Sequence, residues 1–499
     1  MGEYMVNPMT SFTTVGLPVH ASNIFTKNYE GGTLCAISDG MQYAWTAPIV
    51  PILQRPDSPI PITHTDVVWL ESIYMIGGMA GIPFIIYSVD RFGRKATILI
   101  GTVQHIVSWI MKAFAPSVEF FYVARFISGF AANVDFVAAP MYISEIADKR
   151  VRGFLGSSIY VMMLVGILII YSVAPFVSIP ISSAVGCSFL VVELFVFPFM
   201  PESPYYLVSK GKMEAAKKSL QKLRTTTKNI DKEFEEILSM VKRRQSEKEK
   251  RSYADLFRIR KNRRAVLIVT TLNCAQHFSS YSVILMNLHS ILNDAGSMLS
   301  SSNAAIIFSA LMLCAALSSS ILVDRTGRKM LLCASCCLTG LSILSLAMYF
   351  AIKNSGHDVA GYSWVPATSA MCYAVFFKCG MGLIPIVLTA ELFPSSVKAM
   401  GMATASAMYS VSSVVSIYVY QFLSDQFGMH VPFFIFGFSC FLAAFFTIYF
   451  IPETKGKTLA EIQLILSSTK SLSTAIRDIK PGSPEYATLL LKQQQESTA

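Results

Sequence analysis

The chain alternates long apolar stretches with short polar interruptions, and one wide polar gap divides the series in two. Runs of about 20 apolar residues recur, each long enough to cross a bilayer core of roughly 30 Å at 1.5 Å per helical residue. Twelve membrane-spanning helices are predicted. They lie near 31–53, 66–88, 97–115, 118–140, 154–175 and 180–200, then near 264–287, 302–323, 330–352, 364–390, 399–422 and 431–451. The pattern predicts an all-α integral membrane protein with five parts: a tail (1–30), a six-helix half (31–200), a polar helical loop (201–263), a second half (264–451) and a tail (452–499). Residues 1–30 lack the basic start, apolar stretch and small-residue cleavage site of a signal peptide. The first span is therefore expected to act as the insertion signal.

Composition agrees with this reading. Of 499 residues, 53% are hydrophobic and 14% charged, against about 25% charged in soluble domains. The charge is placed rather than scattered. Arg91, Arg94 and Lys95 follow span 2; Lys149, Arg150 and Arg152 follow span 4; Arg325, Arg328 and Lys329 follow span 8; Lys398 follows span 10. Positive loops mark the cytoplasmic side, so both chain ends are expected there, in a multi-pass protein of the cell membrane. From Tyr205 to Arg264 there are 19 Lys/Arg and 8 Asp/Glu, a balance of +11 beside a whole-chain charge of +10. That loop suits anionic lipid headgroups; no nucleic-acid partner is expected. The ten cysteines all fall within proposed spans and read as small packing residues, not a disulfide framework.

The charged motifs repeat. "DRFGRK" at 90–95 returns as "DRTGRK" at 324–329. Glu145 precedes Arg152 by seven residues, as Glu391 precedes Lys398. Glu202 in "PESP" matches Glu453 in "PETKG". Three motifs thus occur in the same order in each half, each after an even-numbered span, which marks an internal duplication. Six spans is an even number, so both copies enter the membrane in the same direction, as parallel six-helix halves. Asp90, Arg91, Gly93, Arg94, Glu145, Arg152 and Glu202, with Asp324, Arg325, Gly327, Arg328, Glu391, Lys398 and Glu453, are expected to form a gate on one face. Arg–carboxylate pairs at helix ends can form when that face closes and part when it opens. The glycines permit the tight turn.

Over about residues 30–465 the chain resembles the sugar-porter branch of the major facilitator superfamily. The resemblance rests on the two hexapeptides, "RFISG" at 125–129, "PMYISEIADKRVRG" at 140–153, "PESPYYL" at 201–207 and "PETKGKT" at 452–458. "GMQYAWTAP" at 40–48 and the Tyr in "PESPYYL" resemble insect trehalose- and hexose-facilitator-like proteins in particular. It implies alternating access around a midplane sugar site contacted mostly by the second half. Carried onto this chain, that site comprises Gln276, His277 and Ser282 in span 7, Tyr160 in span 5, Lys378 in span 10, and Tyr409 and Ser410 in span 11. The chain departs from the family there. His277 stands where a Gln is usual, Ser282 for Asn, Tyr160 for Gln, Met312 for Asn, Lys378 for Glu, Ile386 for Trp, and Tyr409 and Ser410 for Asn and Trp. Amides and aromatic platforms are lost, and a cation and phenols are gained.

Asp39, Asp135, Glu193 and Lys378 lie inside spans, where a charge costs at least about 2–3 kcal/mol unless paired or hydrated. By resemblance to proton-coupled relatives, Asp39 with Arg125 is a candidate coupling pair, with Asp135 a further candidate. Lys378 is expected to pair with Asp39 or Asp135, or to receive an anionic substrate. The leading expectation is a facilitative transporter of a sugar or related polyol, acting as a single chain. A proton-coupled symporter and a non-transporting nutrient sensor of the same fold are the alternatives. Outside the spans no nucleophile–base set or metal cluster occurs, so no enzyme, cofactor or metal site is expected.

Overall fold

The computed structural model describes residues 34–466 except 59, 148–151, 225–229, 249–253, 296–299, 394–396, 456, 458–460 and 463–464. The tails 1–30 and 467–499 lie outside the described residues, as do Lys149 and Arg150.

The first half comprises α1 (Leu34–Tyr43), α2 (Thr46–Leu53), α3 (His64–Arg91), α4 (Arg94–Ala113), α5 (Val118–Asn133), α6 (Ala139–Ile146), α7 (Arg152–Val173) and α8 (Ile179–Val196). Four polar helices follow: α9 (Pro204–Ser209), α10 (Met213–Leu223), α11 (Ile230–Lys248) and α12 (Ala254–Arg258). The second half comprises α13 (Arg260–Phe278), α14 (Tyr281–Ala295), α15 (Ser301–Thr326), α16 (Arg328–Asn354), α17 (Val365–Cys379), α18 (Ile384–Leu392), α19 (Lys398–Phe427) and α20 (His430–Phe450). Among the described residues, ten segments are long and apolar enough to cross a membrane. The remaining two crossings, the first of each half, are each made by a pair of shorter helices, α1–α2 and α13–α14, so twelve spans stand. The end carrying the α3–α4 and α15–α16 turns is called the basic end, its opposite the far end.

Four spans are interrupted, the first and fourth of each half. Span 1 turns at Ala44–Trp45, and span 4 contains a π-helical stretch at Val134–Ala138 between α5 and α6. Span 7 breaks at Ser279–Ser280, where Ser280 has φ 68°, and span 10 unwinds between Cys379 and Ile384. Unwound backbone inside a membrane must find internal partners, and here side chains supply them. Around the span 10 break, the Ser335 hydroxyl donates to Phe376 O (2.7 Å) and accepts from Met381 N (2.9 Å). The Ser319 hydroxyl donates to Cys379 O (2.7 Å), and the Gln276 amide to Met381 O (2.7 Å).

Small residues set the helix contacts within a half. A Cβ on Gly40 would lie 1.9 Å from Met163 O, and one on Gly166 1.9 Å from Ile37 O, so α1 and α7 touch backbone to backbone. Such close approach is how membrane helices gain packing without a hydrophobic drive between them. At the basic end, α9 lies against α6, α10 and α11 pack on α9, and α12 packs on α13 of the second half. Arg224 joins Glu233 of α11 (2.7 Å) and Ile146 O at the end of α6 (2.9 Å).

Candidate functional site: a central cavity and two charged clusters

A cavity of about 190 Å³ lies between the halves. Its wall includes Tyr43, Tyr74, Asn133 and Tyr160 from the first half. The second half contributes Asn273, Gln276, Tyr281, Lys378, Tyr409 and Ser410. The lining starts at mid-depth and runs toward the basic end, where Phe136, Ile386 and Met402 line it and are exposed. Toward the far end the halves meet. Tyr43 stacks on Tyr281 (6.2 Å, 24°) and its hydroxyl lies 3.4 Å from Ser282 Oγ. The Tyr171 hydroxyl donates to Leu285 O. At the surface, Gln421 bonds His64 (3.2 Å).

The wall is set for hydrogen bonding. Three amides are each anchored by one N–H on a backbone carbonyl: Asn133 on Gly78 (2.7 Å), Asn273 on Ala405 (2.8 Å), Gln276 on Met381 (2.7 Å). Asn273 and Gln276 each leave an N–H and a carbonyl oxygen for other partners, while Asn133 Nδ2 also reaches Phe130 O (3.4 Å) and leaves its carbonyl oxygen. Lys378, 1% exposed, donates to the Tyr160 (2.6 Å) and Tyr281 (3.2 Å) hydroxyls.

Of the seven residues named from the sequence, Gln276, Tyr160, Lys378, Tyr409 and Ser410 line the cavity. His277 and Ser282 lie behind its wall. His277 Nδ1 bonds Ser282 Oγ (2.8 Å), its ring packs edge-on against Tyr409 (4.2 Å), and Ser282 reaches Ser413 (2.8 Å). Adjacent helix positions point about 100° apart, and here α13 is rotated so that Gln276 faces the cavity and His277 packs behind it. Sequence reasoning missed Tyr43, Tyr74, Asn133, Asn273 and Tyr281.

The buried charges of the first half form a sealed group near the far end. Asp39 accepts from the Tyr74 hydroxyl (2.6 Å), and Arg125 stacks on the Tyr74 ring (4.7 Å). Arg125 donates through Nε to Leu70 O (2.9 Å) and through Nη1 to Gln42 O, and it meets Asp39 through the Tyr74 ring, with no direct ion pair among the described residues. Lys112 sits between the Trp45 (4.8 Å) and Trp109 (4.9 Å) rings and donates to Gln42. Glu71 lies beside Asn287 of α14, and Glu193, on α8, lies beside Thr102 of α4. Lys378 pairs with phenols, not with Asp39. The side chain of Asp135 lies outside those described.

At the basic end the duplication is visible atom by atom. Arg94 pairs with Glu145 (2.8 Å), and Arg328 with Glu391 (3.2 Å). Glu202 caps the start of α4, accepting from Arg94 N (3.2 Å) and Lys95 N (3.2 Å); Glu453 caps α16, accepting from Arg328 N and Lys329 N (both 3.0 Å). The Ser203 hydroxyl donates to Glu145 as the Thr454 hydroxyl does to Glu391 (2.6 Å). Gly93 and Gly327, φ 96° and 92°, make the turns. These pairs tie helices within a half. Asp90, Arg91 and Arg325 are exposed at the same end, and the side chains of Arg152, Asp324 and Lys398 lie outside those described. Burial raises the Glu202 carboxyl above its ordinary range despite the N–H groups of Ser203 and Lys95. For Glu453, burial also acts upward, but N–H groups from Lys455, Lys329, Arg328 and Thr454 outweigh it and hold the carboxyl low.

Two parallel six-span halves, interrupted helices and a central cavity, largely apolar but set with amide, hydroxyl and ammonium groups and sealed at one end, define a solute carrier of the major facilitator fold. The chain belongs to the sugar (and other) transporter family, whose profile matches residues 18–466. It is 30% identical over 451 residues to the facilitated trehalose transporter Tret1 of Polypedilum vanderplanki, covering 89% of this chain and 88% of that protein. The facilitated trehalose transporter Tret1-2 homolog of Drosophila sechellia is 30% identical over 456 residues, covering 90% and 92%. Tret1 of Drosophila virilis is longer: a 29% match spans 89% of this chain and 48% of that protein. Among solved structures, the proton:xylose symporter XylE bound to 6-bromo-6-deoxy-D-glucose superposes with a TM-score of 0.72 at 22% identity, over 89% of this chain and 100% of that one. A partially occluded inward-open conformation of XylE from E. coli gives 0.73 at 23% identity, over 88% and 100%.

Proposed function

We propose that this protein is a facilitative transporter of a sugar or related polyol, working by alternating access in the cell membrane with both termini cytoplasmic. One observation carries the reading: a cavity lined by amides, hydroxyls and aromatic faces, open toward the basic end and closed toward the far end. With the basic end cytoplasmic, the structure is an inward-open state. Gln276, Asn273, Asn133, Tyr409 and Ser410 are assigned to the sugar hydroxyls, and Tyr43, Tyr74, Tyr160 and Tyr281 to its faces and edges. His277 and Ser282 are assigned to holding that wall. The names of relatives, facilitated trehalose transporters, support the substrate class.

The charged clusters are assigned to the gate. In the inward-open state their pairs close on themselves within each half; when the basic end shuts, they come to face one another. Facilitation is favoured over proton coupling because Asp39 is fully buried behind Tyr74 and does not line the cavity. Purified protein in liposomes should take up labelled hexose or trehalose without internal acidification, and Asp39→Asn should keep that uncoupled uptake. Acidification that accompanies uptake and vanishes in Asp39→Asn would establish the symporter instead. Absence of flux for every sugar, in protein that still binds one, would establish a sensor.

A further inference from the structure

We infer that the cavity is built to accept a monoanionic sugar acid, a polyol carrying one carboxylate such as a uronate or aldonate, with Lys378 as the carboxylate's receptor. The inference rests on the transporter reading above and names its substrate class.

Lys378 lies at mid-depth in the cavity wall and is 1% exposed. Among the described lining residues it is the one charged side chain; the rest are aromatic, aliphatic, amide, hydroxyl or glycine. An ammonium buried at mid-membrane costs several kcal/mol unless it meets an opposite charge. Its own surroundings give only partial relief. Tyr281, Tyr160 and Phe377 place rings 4.5, 5.0 and 5.5 Å from Nζ, and cation–π contact contributes up to about 2 kcal/mol when desolvated.

Among the described interior carboxylates, Asp39 is held by Tyr74 beside Arg125 and Lys112, Glu71 lies by Asn287 beside Arg125, and Glu193 lies by Thr102 between α4 and α8. None of the three forms an ion pair with Lys378.

A neutral polyol needs no cation there. The three anchored amides and the hydroxyls supply donors and acceptors for sugar hydroxyls, and a Met or Leu at 378 would pack against the same rings at lower cost. The donor geometry instead suits an anion. Lys378 spends two of its three N–H groups on phenol oxygens, leaving a third. Tyr160 spends its proton on Gly382 O (3.2 Å). Tyr281 accepts from Lys378 and, among the described bonds, gives its proton to no residue. An ammonium N–H and a phenol O–H whose heavy atoms lie 3.2 Å apart are therefore both left to a ligand, a donor pair suited to a carboxylate through two charge-assisted bonds. One cation matches one negative charge, which selects a monoanion over a phosphate dianion. A site with such donors in place discriminates sharply against ligands lacking the acceptor.

The test is competitive uptake of labelled D-glucuronate and D-glucose into liposomes carrying the full chain, comparing wild type, Lys378→Met and Lys378→Arg. Each variant is first checked for monodispersity in detergent. The expected result is glucuronate uptake by wild type, a glucuronate-to-glucose ratio about tenfold lower in Lys378→Met, and a ratio largely kept in Lys378→Arg; tenfold corresponds to about 1.4 kcal/mol. Glucose uptake without glucuronate uptake, or an unchanged ratio in Lys378→Met, overturns the inference and leaves the transporter reading intact. If wild type moves neither of the two, binding decides the site. Saturable binding of labelled glucuronate to purified protein, lost in Lys378→Met, upholds it, and absence of saturable binding overturns it.

Discussion

The basic-end clusters of the two halves are near copies, while the interiors of the same two halves have diverged. Arg94–Glu145 and Arg328–Glu391, Glu202 on α4 and Glu453 on α16, Gly93 and Gly327 superimpose role for role. Inside the membrane the first half encloses paired charges between Trp45, Trp109 and Tyr74, whereas the second half faces the cavity with tyrosines and an ammonium that lacks a described carboxylate. Duplication supplied two equal scaffolds. Under the alternating access proposed above, that equality belongs at the ends, because both halves would rock about one site. The cavity carries no such constraint, so each wall could change separately.

The most damaging way to break the comparison is at the turns. Gly93→Val and Gly327→Val each place a side chain at positive φ, and the new Cβ falls 2.5 Å from Glu202 Oε2 or 2.8 Å from Glu453 Oε2. Strain of about 1–3 kcal/mol adds to the displaced carboxylate. Either variant should lose most monodisperse protein on size-exclusion; survival of one alone would show that the copies are not equivalent.

Next come the ion pairs. Arg94→Ala strands Glu145, 7% exposed, and should cost about 2–3 kcal/mol, whereas Arg328→Ala strands the more exposed Glu391 (26%) and should cost about 1 kcal/mol. Thermal unfolding followed by tryptophan fluorescence would read the order, and exchange rates in liposomes should fall in both. Equal losses would mean that the burial difference between the halves carries no weight.

The interiors are separated by a pair of lysines. Lys112→Met unbalances a sealed charge group and should lower the apparent unfolding temperature. Lys378→Met relieves a buried cation among rings and should raise it, each by the equivalent of about 1–2 kcal/mol. A fall in both would erase the distinction.

The smallest effect is in pH. The Glu453 carboxyl, held low, contributes stability above the ordinary glutamate value of 4.5, and that contribution fades as pH drops through its lower folded value. Glu202, held high by burial, runs the other way: stability declines as pH rises from 4.5 through its folded value. Between pH 4 and 6 the deficit of Glu453→Gln relative to wild type should widen and that of Glu202→Gln narrow, each by under about 1 kcal/mol. Parallel deficits would refute the assigned difference in environment.

Much of this was legible in the sequence because it is local. Apolar length gave the spans, and "DRFGRK" against "DRTGRK" gave the duplication. Gly380, Gly382 and Pro385 signal the break in span 10, but nothing comparable in "AWT" or "FSSY" announces those at Trp45 and Ser280, which depend on neighbouring helices. The cavity wall was half legible. Gln276 and Lys378 followed from motif position, but the choice between Gln276 and His277 depends on helix rotation, and Tyr74 enters from a distant span. Glu71 and Lys112 sit near span ends, where a sequence suggests wet headgroups; packing against α14 and between two indoles buries them instead.

The unwound stretch between Cys379 and Ile384 has a mechanical consequence. A continuous helix transmits a tilt along its whole length, but here α17 and α18 are joined through a short piece of chain pinned by Ser335, Ser319 and Gln276. Those side chains belong to α16, α15 and α13, so three neighbours hold the joint between α17 and α18. Because Gln276 also lines the cavity, a ligand that draws on its amide would load that joint directly, and α18 would carry the load to Glu391 at its other end.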